Sequence, residues 1–169
     1  FSSDAGNVDD AERDARRLGL AMYRSVELSS MVGSSKATPH LGTLKALAGD
    51  APLLGAYRVR TARGVELLPR PNAGEAWLSS SGAQRMRATI GERITVGGRT
   101  LVMAGIVVEE PDRPLNGVEL GPRVILPLTE VETGGLLGPG ARASWRVSVA
   151  GAPAAIAQWV KAREADPTP

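Results

Sequence analysis

The chain has 169 residues, 43% of them hydrophobic and 22% charged, enough for one domain of ordinary size or two small lobes and too apolar for disorder throughout. Lys and Arg number 20 against 18 Asp and Glu, a net charge of only +2; the cations are spread among acids and aromatics are few, so nothing marks a nucleic-acid surface. The absence of cysteine excludes disulfides and thiolate metal sites, and the longest apolar run, Leu101 to Val108, falls far short of the roughly 20 residues that span a bilayer.

Residues 1–7 are small and polar and are expected to fray. The chain opens at Phe1 rather than methionine, as expected of a piece of a longer protein. Val8, Ala11, Ala15 and Leu18 then recur at helical spacing, with Asp9, Asp10 and Glu12 ahead of Arg16 and Arg17 on the outer face, an order that suits the helix dipole. Gly19 is the expected stop. From Leu20 the period becomes two, placing Leu20, Met22, Val26 and Leu28 on one side of a strand, with Arg24 the exception.

Residues 33–39 read as a loop, residues 43–48 as a short strand, Gly49 to Pro52 as a turn, and residues 56–61 as a strand with Tyr57 and Val59 on one face. Ala62-Arg-Gly64 turns the chain, and residues 69–74 lead to a strand at residues 75–78 that carries Trp77. Ser79 or Ser80 can cap a helix with Ala83, Met86 and Ile90 inside, closed by Gly91.

The strongest signal follows. Ile94 and Val96 alternate with Arg93 and Thr95, Gly97-Gly98 can take the positive φ of a two-residue hairpin turn, and residues 100–108 return as a strand covered on most of both faces. Glu109-Glu-Pro-Asp112 ends it as a solvated exit, because proline cannot donate to a ladder and the charges call for water. Residues 113–122 form a turn-rich excursion, and residues 123–128 a strand that Pro127 puts at an edge or ends. Thr129-Glu-Val-Glu132 has the capping-box pattern.

After the glycine-rich break at residues 134–140, residues 142–149 form the clearest strand: Ala143, Trp145, Val147 and Val149 face in, Arg142, Ser144, Arg146 and Ser148 out. Pro153 opens a last helix with Ile156, Trp159 and Val160 as its buried stripe, ended by Ala165-Asp-Pro167. The layout is α+β: helix and strand, then short strands with glycine turns that suggest a small barrel or sandwich, then strand and helix.

No catalytic set emerges. His40 is the only histidine, so His-based metal sites are excluded, and a Ser-His-Asp triad lacks its Gly-x-Ser-x-Gly elbow. Gly138-Pro-Gly140 does not extend to Gly-x-Gly-x-x-Gly and no phosphate loop is present, so the chain has no ATP site of its own. Glu109, Glu110 and Asp112 are the one imaginable acid/base set, and Ser34, Ser35 and Lys36 miss the Ser-x-x-Lys spacing. The expected catalytic, cofactor and metal residues are therefore none. Trp77 and Trp145 are expected in the core. Trp159 is the one candidate contact for a lipid-like ligand, against packing as the default.

Several runs in order carry a resemblance: Asp14-Ala-Arg-Arg-Leu-Gly-Leu20 leading to Ser29-Ser-Met-Val32; Thr43-Leu-Lys-Ala-Leu47 with Pro52-Leu-Leu-Gly55; Gly74-Glu-Ala-Trp77; Gly91-Glu-Arg-Ile-Thr-Val-Gly97; Glu110-Pro-Asp-Arg113 with Gly121-Pro-Arg-Val-Ile-Leu126; and Gly135-Leu-Leu-Gly-Pro-Gly140 before Arg142. Together they resemble the large extracytoplasmic (periplasmic) domain of an FtsX-like, MacB-like ABC-transporter permease of the YbbP type.

The resemblance implies an insertion between two transmembrane helices, with a membrane-proximal α/β lobe (residues 1–32 and 141–169) and an inserted β-rich lobe (residues 33–140). It also implies a non-enzymatic part on the periplasmic side of the inner membrane. ATP would be bound by a separate cytoplasmic ABC ATPase subunit, whose strokes move this domain against its twin in a permease homodimer. Expected partners are a hydrophobic or lipid-like cargo or a periplasmic hydrolase; no nucleic acid is expected.

Overall fold

The computed structural model describes residues 2–3, 5–49, 55–111, 113 and 121–164. Its elements are β1 (Ser2–Ser3), α1 (Ala5–Arg17), β2 (Ala21–Ser34), β3 (Ala37–Gly49), β4 (Tyr57–Thr61), β5 (Gly64–Leu68), β6 (Glu75–Ser79), α2 (Ser80–Met86), β7 (Arg93–Val96), β8 (Arg99–Glu109), β9 (Arg123–Pro127), α3 (Leu128–Thr133), β10 (Ala143–Ala150) and α4 (Pro153–Glu164). The fold is α+β. The strands form one mixed sheet in the order β1-β10-β2-β3-β9-β6-β8-β4-β5, and β7 bridges β2 and β8.

That bridge closes a ring of pairings, β2–β3–β9–β6–β8–β7, so that of the barrel and the sandwich left open by the glycine-punctuated strands it is the small barrel that forms. Val32, Leu44, Ala46, Leu78, Ile94, Leu101, Met103, Val124 and Leu126 are buried in its core, joined by Ala83 and Met86 of α2. The same hydrophobic cluster runs on to Val8, Ala11 and Ala15 of α1 and to Trp145, Val147 and Trp159. A second, smaller core lies on the other face of the sheet: Tyr23, Leu47, Ile125, Trp77, Val59 and Tyr57.

Several local expectations hold for local reasons. Gly97 takes φ +59° in the two-residue turn between β7 and β8, with Val96 opposite Arg99. Ser79 caps α2 by accepting from the Gly82 N–H at 3.1 Å, and Pro153 opens α4 at its first position. Arg24 sits on the apolar side of β2 because its guanidinium lies over the Trp145 ring and pairs with Glu12 of α1 at 3.1 Å.

Others are corrected. The loop expected at residues 33–39 is only a turn at Ser35–Lys36, and β2 and β3 are long strands around it. Pro39 is tolerated there because the pairing jumps from Val32–His40 to Ser34–Ala37, a bulge that asks for no proline N–H. Gly33 lies opposite; a Cβ on it would stand 2.9 Å from the Thr95 hydroxyl and 3.3 Å from the Pro39 ring. The N-terminal residues expected to fray include β1, which pairs with β10, and α1 begins at Ala5, so Asp9 and Asp10 fall in its second turn. Residues 64–68 form a strand, β5, where none was expected.

Helix α2 stops at Met86 rather than Gly91 because Arg87 takes the left-handed conformation (φ 51°). The Arg87 and Ala88 N–H groups then return to the carbonyls of Gln84 and Ala83, closing a Schellman motif. β8 is covered mainly on one face: Leu101 and Met103 are buried, whereas Val102 and Val108 are exposed. β9 is interior, between β3 and β6, so of the two places open to Pro127 the strand end holds and the edge does not: it is the last residue of β9. Pro127 also stands at the N-terminus of α3, so Thr129 lies inside the helix and caps nothing; it accepts from the Thr133 hydroxyl instead. Val160 is exposed, leaving Trp159 and the half-buried Ile156 as the inner stripe of α4. The turn at residues 50–52, most of the excursion at residues 113–122 and the stop at residues 165–167 lie outside the described residues.

Candidate functional site

The acidic pair at the end of β8 divides. Glu109 is exposed and, among the described residues, its one ionic partner is Arg58, at 3.6 Å. The Glu110 side chain is 3% exposed and the Lys45 side chain beside it 4%, so the solvated exit expected from the sequence is, at Glu110, a buried ion cluster. Lys45 Nζ donates to Glu110 Oε1 at 2.8 Å. Arg123 grips the same carboxylate with two nitrogens, Nε to Oε2 at 2.9 Å and Nη2 to Oε1 at 2.7 Å, and reaches Glu27 at 3.2 Å.

Register explains how four distant residues meet. Glu27 of β2 stands directly opposite Lys45 of β3, and Arg123 of β9 opposite Thr43, two residues along the same face of β3. Glu110 arrives from the end of β8. The Lys45 ammonium also lies 5.8 Å from the centre of the Tyr57 ring.

This cluster is built to stay ionised. Burial pushes the Glu110 carboxyl up, but hydrogen bonds from Arg123 and the charge of Lys45 outweigh it and hold the group below the usual carboxylate range. Burial likewise works against the Arg123 cation, and the bonds to Glu110 raise its affinity for the proton regardless. The Tyr57 phenol is driven far up, first by burial, and remains neutral. A carboxylate with its oxygens occupied by cationic donors has neither a proton to give nor a lone pair aimed at a substrate. Its chemistry is that of a clamp joining β2, β3, β8 and β9.

A second acid, Glu130 of α3, works the same way. It is bonded to Arg99 Nη2 and accepts from the Gly74 N–H at 2.7 Å, and these bonds, that of Arg99 first, lower its pKa. Ser34 donates to the Met86 carbonyl at 2.5 Å and Lys36 is held by Glu92, so the serine–lysine run forms no dyad. His40 is exposed on β3, its Nδ1 2.8 Å from the Thr38 carbonyl. Among the described residues no group of three His, Asp or Glu side chains is placed to hold a metal ion.

Trp159 is 5% exposed, and its Nε1 donates to the Ala11 carbonyl at 2.8 Å. Its ring joins α4 to α1 and presents no open wall. Two clefts remain. One, of about 560 Å³, lies between Leu28, Ser29 and Thr43 and the residues entering β10; the other, of about 540 Å³, lies under the β4–β5 turn against Pro71 and Trp77. Both open to solvent.

Among the described residues, two pairs of exposed apolar side chains stand out on the surface. Met31 and Leu41 face each other across the β2–β3 hairpin and are both exposed. Val65 and Leu67 stand out from β5, 57% and 71% exposed. The second pair escaped sequence reasoning because β5 itself did; the alternation of Val65 and Leu67 with Glu66 after a glycine turn was the available signal.

No known protein-family profile matches the chain. Over 138 residues, 82% of the chain, it is 29% identical to the uncharacterized ABC transporter permease YbbP of Escherichia coli K12, of whose length it spans 16%. Its fold matches several solved structures, among them the following two. One is the periplasmic region of MacB from Actinobacillus actinomycetemcomitans: TM-score 0.57, 12% identity, 94% of this chain and 72% of that one. The other is the extracellular domain of the noncanonic ABC-type transporter YknZ from Gram-positive bacteria: TM-score 0.53, 15% identity, 88% and 76%. The chain is thus similar in sequence to an ABC-transporter permease and shares the fold of the extracytoplasmic regions of MacB and YknZ.

Proposed function

We propose that this chain, with the fold of MacB- and YknZ-type extracytoplasmic regions, is the non-enzymatic periplasmic domain of an ABC-transporter permease. In this reading ATP is hydrolysed by a separate cytoplasmic subunit. The domain moves against a second copy of itself and acts on a hydrophobic or lipid-linked cargo, or on an envelope partner. The observation that carries it is the coincidence of sequence similarity to a permease with the fold of two transporter extracytoplasmic regions.

Two features support a mechanical role. Elements from opposite ends of the chain, α1 and α4, pack together through Trp159 and Ala11, as an insertion between neighbouring membrane helices requires. The buried clamp of Glu110, Lys45 and Arg123 ties β8 to β2, β3 and β9, so residues 33–140 can follow residues 1–32 and 141–169 as one lever. The described clefts are open and the apolar side chains that stand free lie on the surface, which favours a second reading as well: a module that docks an envelope hydrolase and regulates it. Affinity capture from an envelope extract with the tagged chain separates the two. Co-purified lipid or lipoprotein supports cargo handling, a stoichiometric hydrolase supports regulation, and recovery of neither counts against both.

A further inference from the structure

We propose that the free edge of β5 is a strand-addition site that takes an extended, acidic and partly apolar segment of a partner protein. β5 ends the sheet. It pairs with β4 on one side, and among the described residues no strand covers the other. Such an edge offers unpaired backbone donors and acceptors, and natural sheets normally blunt it with lysine, proline, a bulge or extreme shortness. The opposite end of this sheet follows that rule, since β1 has only two residues. β5 has five, Gly-Val-Glu-Leu-Leu, with no proline and no cation. Its one charge, Glu66, is on the inner side, accepting from the Thr61 hydroxyl at 2.6 Å and from Arg63 at 3.3 Å.

The outward face specifies the occupant. Register puts Arg60 opposite Val65 and Arg58 opposite Leu67, giving two exposed apolar side chains on the edge strand backed by two exposed arginines on the next. Arg58 meets Glu109 at 3.6 Å, and Arg60 has no ionic partner among the described residues. An added strand would satisfy the edge backbone, set apolar side chains beside Val65 and Leu67, and bring carboxylates over the valine to Arg60. A basic segment would place like charges together. The proposal draws on the preceding reading only in supposing that the partner is met outside the membrane.

The probe is a short capped peptide whose one face repeats valine and glutamate and whose other face is threonine, with a lysine-for-glutamate twin as control. Added to the full chain, the glutamate peptide is expected to slow amide hydrogen exchange at residues 64–68 and to bind at least about tenfold more tightly than its twin, the preference weakening with salt. Leu67→Lys should abolish the slowing without changing exchange in the barrel, and Arg60→Glu should transfer the preference to the lysine peptide. The proposal is overturned if millimolar glutamate peptide leaves residues 64–68 unprotected, or if the twins bind equally. It is also overturned if the face binds vesicles of phosphatidylglycerol and phosphatidylcholine and ignores both peptides. None of these outcomes bears on whether an ATPase drives the domain.

Discussion

Replacing Glu110 by alanine is expected to lower the unfolding free energy by about 3–5 kcal/mol, because it strands the buried Lys45 cation and leaves Arg123 only Glu27. Lys45 and Arg123 converge on that carboxylate with three hydrogen bonds of 2.7–2.9 Å, and Lys45 is too buried to turn to water. Glu109→Ala, one residue earlier, should change stability by less than about 0.5 kcal/mol, since Glu109 is exposed and makes one long surface pair. Equilibrium urea unfolding of the two variants reads the contrast directly. Equal effects would mean that the clamp carries no net stability. The same clamp predicts a pH dependence of defined sign. The folded-state pKa of Glu110 lies below its unfolded value of about 4.3, so its contribution is fully present above that pH and disappears as pH falls through the folded pKa. Glu130, also lowered, adds to the trend. The melting temperature should hold from neutrality to about pH 5 and decline below it. Glu110→Gln should melt lower at neutral pH and show a shallower acid decline.

Trp159→Ala is expected to cost about 3–5 kcal/mol, the range for deleting a large buried aromatic. Its ring fills the seam between α4 and α1, its Nε1 bonds the Ala11 carbonyl, and the Arg163 guanidinium lies 5.5 Å from its centre. Val160→Ala on the outer side of the same helix should be nearly silent. Urea unfolding of the pair decides whether Trp159 is a structural pin. A tryptophan reserved for a ligand would leave stability nearly unchanged when removed.

What the sequence disclosed and what it concealed follow from range. β10 could be read almost to the residue because its alternation is complete over eight positions, and the β7–β8 hairpin because Gly97 must adopt a left-handed φ. The start of α4 was legible in Pro153. The clamp was not. Glu110 is 65 residues from Lys45 and 13 from Arg123, and an acid before proline looks the same locally whether it meets water or a guanidinium. Lys45 gave no warning either, since β3 is covered on both faces at residues 44–47 and nothing local distinguishes a buried lysine from one pointing out. The lengths of β2 and β3 were hidden by Pro39, which reads as a loop until the bulge beside Gly33 is seen. Trp159 was correctly placed on the inner face of α4, but its hydrogen bond to Ala11 spans 148 residues and is settled only by packing.

The central claim is that this domain is moved by ATP hydrolysed elsewhere. The chain contains no cysteine, so once any cysteines elsewhere in the full-length permease are replaced, Gln158→Cys on the exposed face of α4 gives one label per copy. With its ATPase and membrane in place, the distance between the two labels should shift by several ångströms between the nucleotide-free state and an ATP-trapped, hydrolysis-deficient state, as measured by double electron–electron resonance. An interlabel distance that stays the same in both states, with the ATPase shown to bind nucleotide, would contradict the account.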